Sequence, residues 1–109
     1  MSVDPAWERF SSAIRSALVS HASLQERLGN LISAVHHLQR DSFPDDRVWD
    51  EFRKLINETT KRAAGPQPDG RIQMTTSQMS DMKAKQLLET AFDIYSRVSK
   101  AFGRTEFVI

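Results

Sequence analysis

Apolar residues recur every three or four positions along most of the chain, and this spacing limits the fold more than any other feature. Residues three and four apart lie on one face of an α-helix, so each such stretch predicts a helix with one apolar side. Strand-like alternation is confined to residues 106–109. We therefore predict an all-α protein, an antiparallel four-helix bundle with helices near residues 5–20, 24–40, 45–63 and 80–102.

The first two predicted helices could also form one, because the three-four alternation runs without interruption from Trp7 to Leu38. A single helix over this stretch would be about 54 Å long. Ser23 and Glu26, however, have the spacing of a capping box, in which each side chain bonds the other residue's backbone amide. His21 would also be the only polar residue in the apolar seam. We favour two helices that separate just before Ser23.

Prolines, glycines and capping residues mark the other boundaries. Asp45 and Ser80 each precede a helical stretch, and Gly65 has the place of a left-handed residue after a helix. We predict a flexible loop at 64–76, within which residues 71–74 can form a brief helical turn, and a C-terminal tail at 104–109. The length of 109 residues predicts a single domain over the whole chain.

Gly29 lies in the middle of the second predicted helix. A glycine there costs about 1 kcal/mol of helix stability relative to alanine. Two interpretations stay open: the chain tolerates this cost, or another helix crosses too close for a side chain.

The charges argue against nucleic-acid and membrane-surface partners. The chain has 15 basic and 14 acidic residues, a net charge of +1, and no basic run. Binders of phosphate or of anionic lipid gather Lys and Arg on one face. The chain also has no cysteine and no apolar run long enough to span a bilayer, and its first ten residues lack a signal-peptide core. We expect a cytoplasmic protein.

Side chains that could bind a metal or catalyse a reaction are present but poorly placed for it. His37 and Asp41 share a helix face, yet a catalytic zinc site needs three protein ligands. The neighbouring His36 points about 100° away from His37. Asp45 and Asp46 lie at the start of a helix, where they compensate the helix dipole. We therefore predict no metal, no cofactor and no catalytic residue.

Arg15 and His21 have the spacing Arg-x5-His. This is similar to the catalytic motif of the HEPN ribonuclease domains, which are small helical dimers. The resemblance implies, as an alternative function, a metal-independent ribonuclease with Arg15 and His21 at a shared groove. The pair lies in the first predicted helix, whereas in that family the motif lies near the C-terminal helices.

Two further resemblances rest on short strings. The run 23–28, Phe43-Pro44 and the string 79–81 resemble small all-helical bacterial proteins of unassigned function, which implies a bacterial source. The end of the chain, residues 107–109, is similar to the hydrophobic C-terminal ligands of PDZ domains. The alternative for these last residues is that they fold back on the bundle or stay disordered.

The last predicted helix carries apolar residues over about half of its circumference, more than the roughly 100° that a surface helix needs. It is therefore central in the bundle or shares part of this face with a partner. The predicted interface residues are Leu88, Phe92, Tyr95 and Phe102, with Trp7 and Trp49 as further aromatic candidates. We predict a non-enzymatic protein that binds a protein partner, most simply as a homodimer. An immunity- or antitoxin-like regulatory partner is the other alternative.

Overall fold

A computed structural model describes residues 4–61 and 68–102, and within these residues it contains helices and no strand. The five α-helices are α1 (Asp4–Val19), α2 (Leu24–Val35), α3 (Asp46–Thr59), α4 (Pro68–Ser77) and α5 (Asp81–Phe102), and a 3₁₀ turn at Arg40–Ser42 joins α2 to α3. The all-α prediction is confirmed. The predicted helix count of four is wrong, because all but the last residue of α4 lies in the segment 64–76 that was predicted as a loop.

The break between α1 and α2 lies where the capping box predicted it. The Glu26 amide donates to Ser23 Oγ at 3.1 Å, and Ser23 Oγ lies 3.3 Å from Glu26 Oε1. The Ala22 amide donates to Ser20 Oγ at 3.0 Å within the same turn. The first of these bonds satisfies an amide that the start of α2 leaves without a helical partner. Residues 5–40 therefore form two helices.

Helices α2 and α3 both end earlier than predicted. After Val35, the end of α2, the turn that replaces the last part of the predicted helix buries Leu38 and Phe43. At the end of α3 the Thr60 amide bonds Asn57 O, and Thr60 Oγ1 donates to Ile56 O at 2.8 Å. The hydroxyl of Thr60 thus bonds the carbonyl that the amide of Thr60 would bond if the helix continued. The spacing of the apolar residues alone does not predict that these helices end at Val35 and Thr59.

Helix α4 corrects the prediction of a flexible loop at 64–76. Pro68 suits the first turn of a helix because its φ is fixed and its missing amide is not needed there. Ile72, Thr75 and Thr76 are buried and recur at helical spacing. Their burial offsets the cost of Gly70, because glycine disfavours the helix relative to other residues. Gly65 with the rest of 62–67, and the predicted tail at 104–109, lie outside the described residues.

The helices pack around one continuous core. Helix α2 packs against α1, α4 and α5, and α5 also packs against α1 and α3. The smallest extent of the fold is 18 Å, which fits two layers of helices, so each helix keeps an outer side. At one end of the core four aromatic rings meet at centroid distances between 4.6 and 5.9 Å; these are Phe10, Phe43, Trp49 and Phe52.

Gly29 lies where α2 crosses α4. A Cβ atom placed on Gly29 would lie 3.0 Å from Thr76 Oγ1 and 3.4 Å from the side chain of Gln73. The first distance is shorter than ordinary van der Waals contact, and the second is at the lower limit of it. Of the two interpretations left open by the sequence, the structure supports the close crossing.

Polar bonds at both ends fix α5 against the first two helices. The Lys83 amide donates to Ser80 Oγ at 3.1 Å, which confirms Ser80 as the N-cap. Gln25 Nε2 donates to Met79 O at 2.9 Å, so α2 and α5 begin side by side. Trp7 Nε1 donates to Ser99 Oγ at 3.3 Å, so the start of α1 meets the end of α5. The end of α1 therefore lies beside the middle of α5.

Candidate functional site

An open apolar groove lies between α1, α2 and α5, with a volume of about 400 Å³. We call it the α1–α5 groove. Its apolar lining consists of Ile14, Ala17, Leu18, Leu31, Leu88 and Phe92. Ile14 and Leu31 are buried, whereas Leu18 is 65% exposed and Phe92 is 43% exposed. Two large side chains thus stand in solvent above a buried apolar floor.

The groove wall formed by Phe92 rests on the core. Its ring lies 6.1 Å from that of Tyr95, measured between centroids, and Tyr95 is only 2% exposed. Phe92 thus lies beside a residue of the core while its own ring stays partly exposed.

Three charged side chains line the edge of the groove: Arg27, Lys85 and Glu89. Arg27 is held in place, since its Nε donates to Ala22 O at 2.9 Å. Lys85 and Glu89 lie one turn apart on α5, and neither forms an ion pair with another of the described residues. Both signs of charge are therefore presented to whatever approaches the groove.

The four predicted interface residues do not share one environment. Leu88 and Phe92 line the α1–α5 groove. Tyr95 packs in the core, on the side of α5 that the monomer itself covers. The side chain of Phe102 lies outside the described residues. Of the further candidates, Trp7 and Trp49 are half-buried and pack against the core. The described part of the predicted site is thus centred on Leu88 and Phe92.

Leu18 belongs to the site, although the three-four apolar spacing of the first predicted helix gives no sign that this residue is exposed. It lies in the last turn of α1, and its neighbour Val19 is also exposed. Helical spacing assigns a residue to a face, yet it does not tell whether a neighbouring helix extends far enough to cover that face. In the sequence, the exposure of Leu18 is indicated only by its position, together with Val19, just before a predicted turn.

The ribonuclease-like pair is divided between a helix and a turn. Arg15 lies on α1, whereas His21 lies beyond its end, in the turn to α2. Both residues are exposed, and neither lines the α1–α5 groove. The structure gives this pair no cleft of its own among the described pockets.

The histidines of the metal hypothesis lie edge to face. The rings of His36 and His37 are 5.8 Å apart at an angle of 85°. Desolvation, with the nearby charges of Arg9 and His36, lowers the pKa of His37. Within residues 4–61 and 68–102, no three His, Asp or Glu side chains are grouped to hold a metal ion.

Three acidic residues at the start of α3, Asp45, Asp46 and Glu51, have structural partners. Asp45 Oδ1 accepts from the Val48 amide at 2.9 Å, and Asp46 pairs with Arg40 at 2.7 Å. Glu51 bonds Arg97 at 2.7 Å, an interaction that raises the pKa of the Arg97 guanidinium. Each of these carboxylates caps α3 or links it to a neighbouring segment, as expected for charges that stabilise a helix.

Comparison with known proteins returned no relative. No family model matches the chain, and neither a curated protein nor a solved structure is significantly similar to it. Among the described helices none is long and apolar enough to cross a membrane. The α1–α5 groove and the residues that line it are therefore the features of this protein that bear on its function.

Proposed function

We propose that this chain is a protein-interaction domain that self-associates through the α1–α5 groove. The observation that carries the proposal is the pair Leu18 and Phe92, which are 65% and 43% exposed on either side of an apolar groove of about 400 Å³. Large apolar side chains exposed together beside a groove are a common feature of interaction sites.

The charges at the groove edge favour a second copy of the same chain as the occupant. A twofold interface brings identical surfaces together, so each charge must find its complement on that same surface. Lys85 and Glu89 supply both signs within one helical turn. The net charge of +1 also leaves little overall repulsion between two copies. A strongly charged partner, by contrast, would be met by a groove edge of mixed sign.

The composition of the groove indicates a modest affinity. Of the large apolar side chains that line the groove, Leu18, Leu88 and Phe92 are the three that are not buried. A small number of anchor residues usually supplies most of the binding free energy of an interface. Small interfaces of this type belong to transient complexes. We expect a dissociation constant in the micromolar range, with roughly 8 kcal/mol of binding free energy. The absence of cysteine is consistent with a reducing, cytoplasmic compartment, which we propose as the location.

Sedimentation equilibrium of the wild type and two matched variants tests the proposal. Phe92→Asp places a charge in the groove, whereas Met74→Asp places one on α4, at a residue of similar exposure (39%) that does not line it. We expect a wild-type dimer, at least a tenfold weaker dimer for Phe92→Asp, and wild-type behaviour for Met74→Asp. Circular dichroism shows that both variants stay folded.

Two results would contradict the proposal. One is a wild-type chain that stays monomeric at millimolar concentration. The other is an equal loss of association in both variants, which would place the contact elsewhere or make it non-specific. The ribonuclease alternative has its own test, since a His21→Ala variant must then lose RNA cleavage that the wild type performs.

A further inference from the structure

The outer side of α5 carries four residues in a symmetric order. Met82, Lys85, Glu89 and Phe92 are spaced by three, four and three positions, so they share one helix face. We call them the outer row. All four are exposed, Met82 to 72%. Position 87 is their midpoint: Lys85 and Glu89 lie two residues from it, Met82 and Phe92 five.

This order makes the outer row complementary to itself when two copies run in opposite directions. Around a twofold axis at position 87, Lys85 of one copy lies opposite Glu89 of the other. Because the axis relates the two copies, the interface contains this Lys–Glu pair twice. Met82 likewise lies opposite Phe92 of the second copy. A thioether beside an aromatic ring is a favourable contact. Each apolar end of the row thus meets an apolar end, and each charge meets the opposite charge.

The parallel orientation is disfavoured by the same residues. Two parallel copies in register place Lys85 opposite Lys85 and Glu89 opposite Glu89. Like charges that lie directly opposite each other destabilise the parallel dimer. Charges across an interface determine its specificity more than its affinity. The charges of the outer row therefore favour the antiparallel over the parallel orientation. Its apolar residues alone would not distinguish the two.

We propose that two copies of the chain associate with their α5 helices antiparallel, with Lys85 paired to Glu89 and Met82 to Phe92 of the second copy. This inference rests on the proposed self-association and adds its orientation and its specificity-determining charges. Leu88, which lines the α1–α5 groove, lies next to the axis. The two grooves therefore adjoin across the interface, and each outer row covers the edge of the other's groove.

Cysteine cross-linking tests the orientation directly, because the natural chain contains no cysteine. Met82→Cys and Phe92→Cys are prepared separately, mixed in equal amounts and oxidised, and the products are identified by mass. We expect the mixed disulfide to exceed either symmetric disulfide at least tenfold. Met74→Cys, mixed with each, is the control for random collision. Symmetric Met82→Cys or Phe92→Cys disulfides in excess would overturn the antiparallel register.

Charge exchange is a second test that leaves the apolar residues intact. Lys85→Glu alone and Glu89→Lys alone place like charges opposite each other twice, so each variant should dimerise about tenfold more weakly. An equal mixture of the two variants, and the double variant Lys85→Glu/Glu89→Lys, should recover the wild-type dissociation constant at low salt. Single variants that dimerise like the wild type would overturn the proposed pairing.

The two proposals fail in different ways. A wild-type monomer at millimolar concentration removes both the self-association and its orientation. A wild-type dimer that depends on Phe92 but gives no preferred Met82–Phe92 cross-link keeps the self-association and removes the orientation alone.

Discussion

Two helix contacts in this protein differ sharply in how closely they are packed. Where α2 crosses α4, the backbone of Gly29 lies so close to Thr76 that a single added carbon would be 3.0 Å from its hydroxyl. Where α1 meets α5, a groove of about 400 Å³ stays open, with Leu18 and Phe92 at its sides. The same short chain thus builds one closed contact and one open contact.

The comparison shows that the groove is not a sign of loose packing throughout the molecule. At the closed contact the polar group is satisfied, because Thr76 Oγ1 donates to Ile72 O of its own helix at 3.0 Å. At the open contact large apolar side chains stand beside Lys85 and Glu89, which form no ion pair with the other residues that the structure describes. Burying Leu18 and Phe92 inside the monomer would require another covering element, and a second molecule supplies one at no cost to the closed contact.

The largest expected effect comes from forcing the closed contact open. Gly29→Leu places a side chain where α4 leaves no room, and overpacking of this kind costs about 1–3 kcal/mol of unfolding free energy. Asn30→Leu, at the exposed neighbouring position, is the matched control. Urea unfolding followed by tryptophan fluorescence measures both. Equal stability of the two variants would show that the crossing is not tight.

Filling the open contact should raise the free energy of unfolding, by somewhat less than the Gly29 substitution lowers it. Ala17 is half-buried at the groove, and Ala17→Leu adds carbons that are partly buried there. At about 0.8 kcal/mol per fully buried methylene, we expect roughly 1 kcal/mol of added stability and a weaker dimer.

Ala91→Leu is the control for this variant, because Ala91 is fully buried on the covered side of α5. Added volume there should destabilise the monomer by about 1–3 kcal/mol. If Ala17→Leu were destabilising as well, the groove would be closed in solution. Thermal or urea unfolding at a fixed protein concentration shows whether each variant is more or less stable than the wild type.

The smallest expected effect concerns a polar link on another side of α5. Glu58 of α3 bonds Lys61 at 2.9 Å and Lys83 of α5 at 3.3 Å, and these bonds lower the pKa of the Glu58 carboxyl. A lowered pKa in the folded state stabilises the fold above the ordinary glutamate pKa, and this stability is lost as the pH falls through the lower, folded value.

Glu58→Gln measures the contribution of that link. Because the carboxylate is about one-third exposed, we expect a loss below about 1 kcal/mol at neutral pH. The difference from the wild type should vanish once the pH is well below the folded pKa of Glu58. A difference that stays constant from neutral to acidic pH would show that the charge of Glu58 is not its source.

Local signals in the sequence predicted the helix starts better than their ends. Ser23, Asp45 and Ser80 were each expected as caps, and each accepts a backbone amide in the structure. The ends of α2 and α3 depend on turns and on threonine hydroxyls, which apolar spacing does not encode. Helix α4 was missed because the prolines and glycines around its start predict a loop. Its buried face, which consists of Ile72, Thr75 and Thr76, is too short and too polar to show a clear apolar period.

The candidate site could be predicted only in part, for a related reason. The wide apolar face of α5 pointed to Leu88 and Phe92, which line the groove. It also pointed to Tyr95, which the other helices bury, and it gave no indication of Leu18. Which part of an apolar face is covered depends on where neighbouring helices begin and end, and that information is tertiary.

The measurement that tests the central claim most directly is a dilution series of methyl NMR spectra of the wild type. If a second copy covers the open contact, the methyl signals of Leu18 and Leu88 should move with protein concentration, and those of the buried Leu28 and Leu55 should not. Fitting the moving signals gives the dissociation constant. Leu18 and Leu88 signals that stay fixed from micromolar to millimolar concentration would contradict the account.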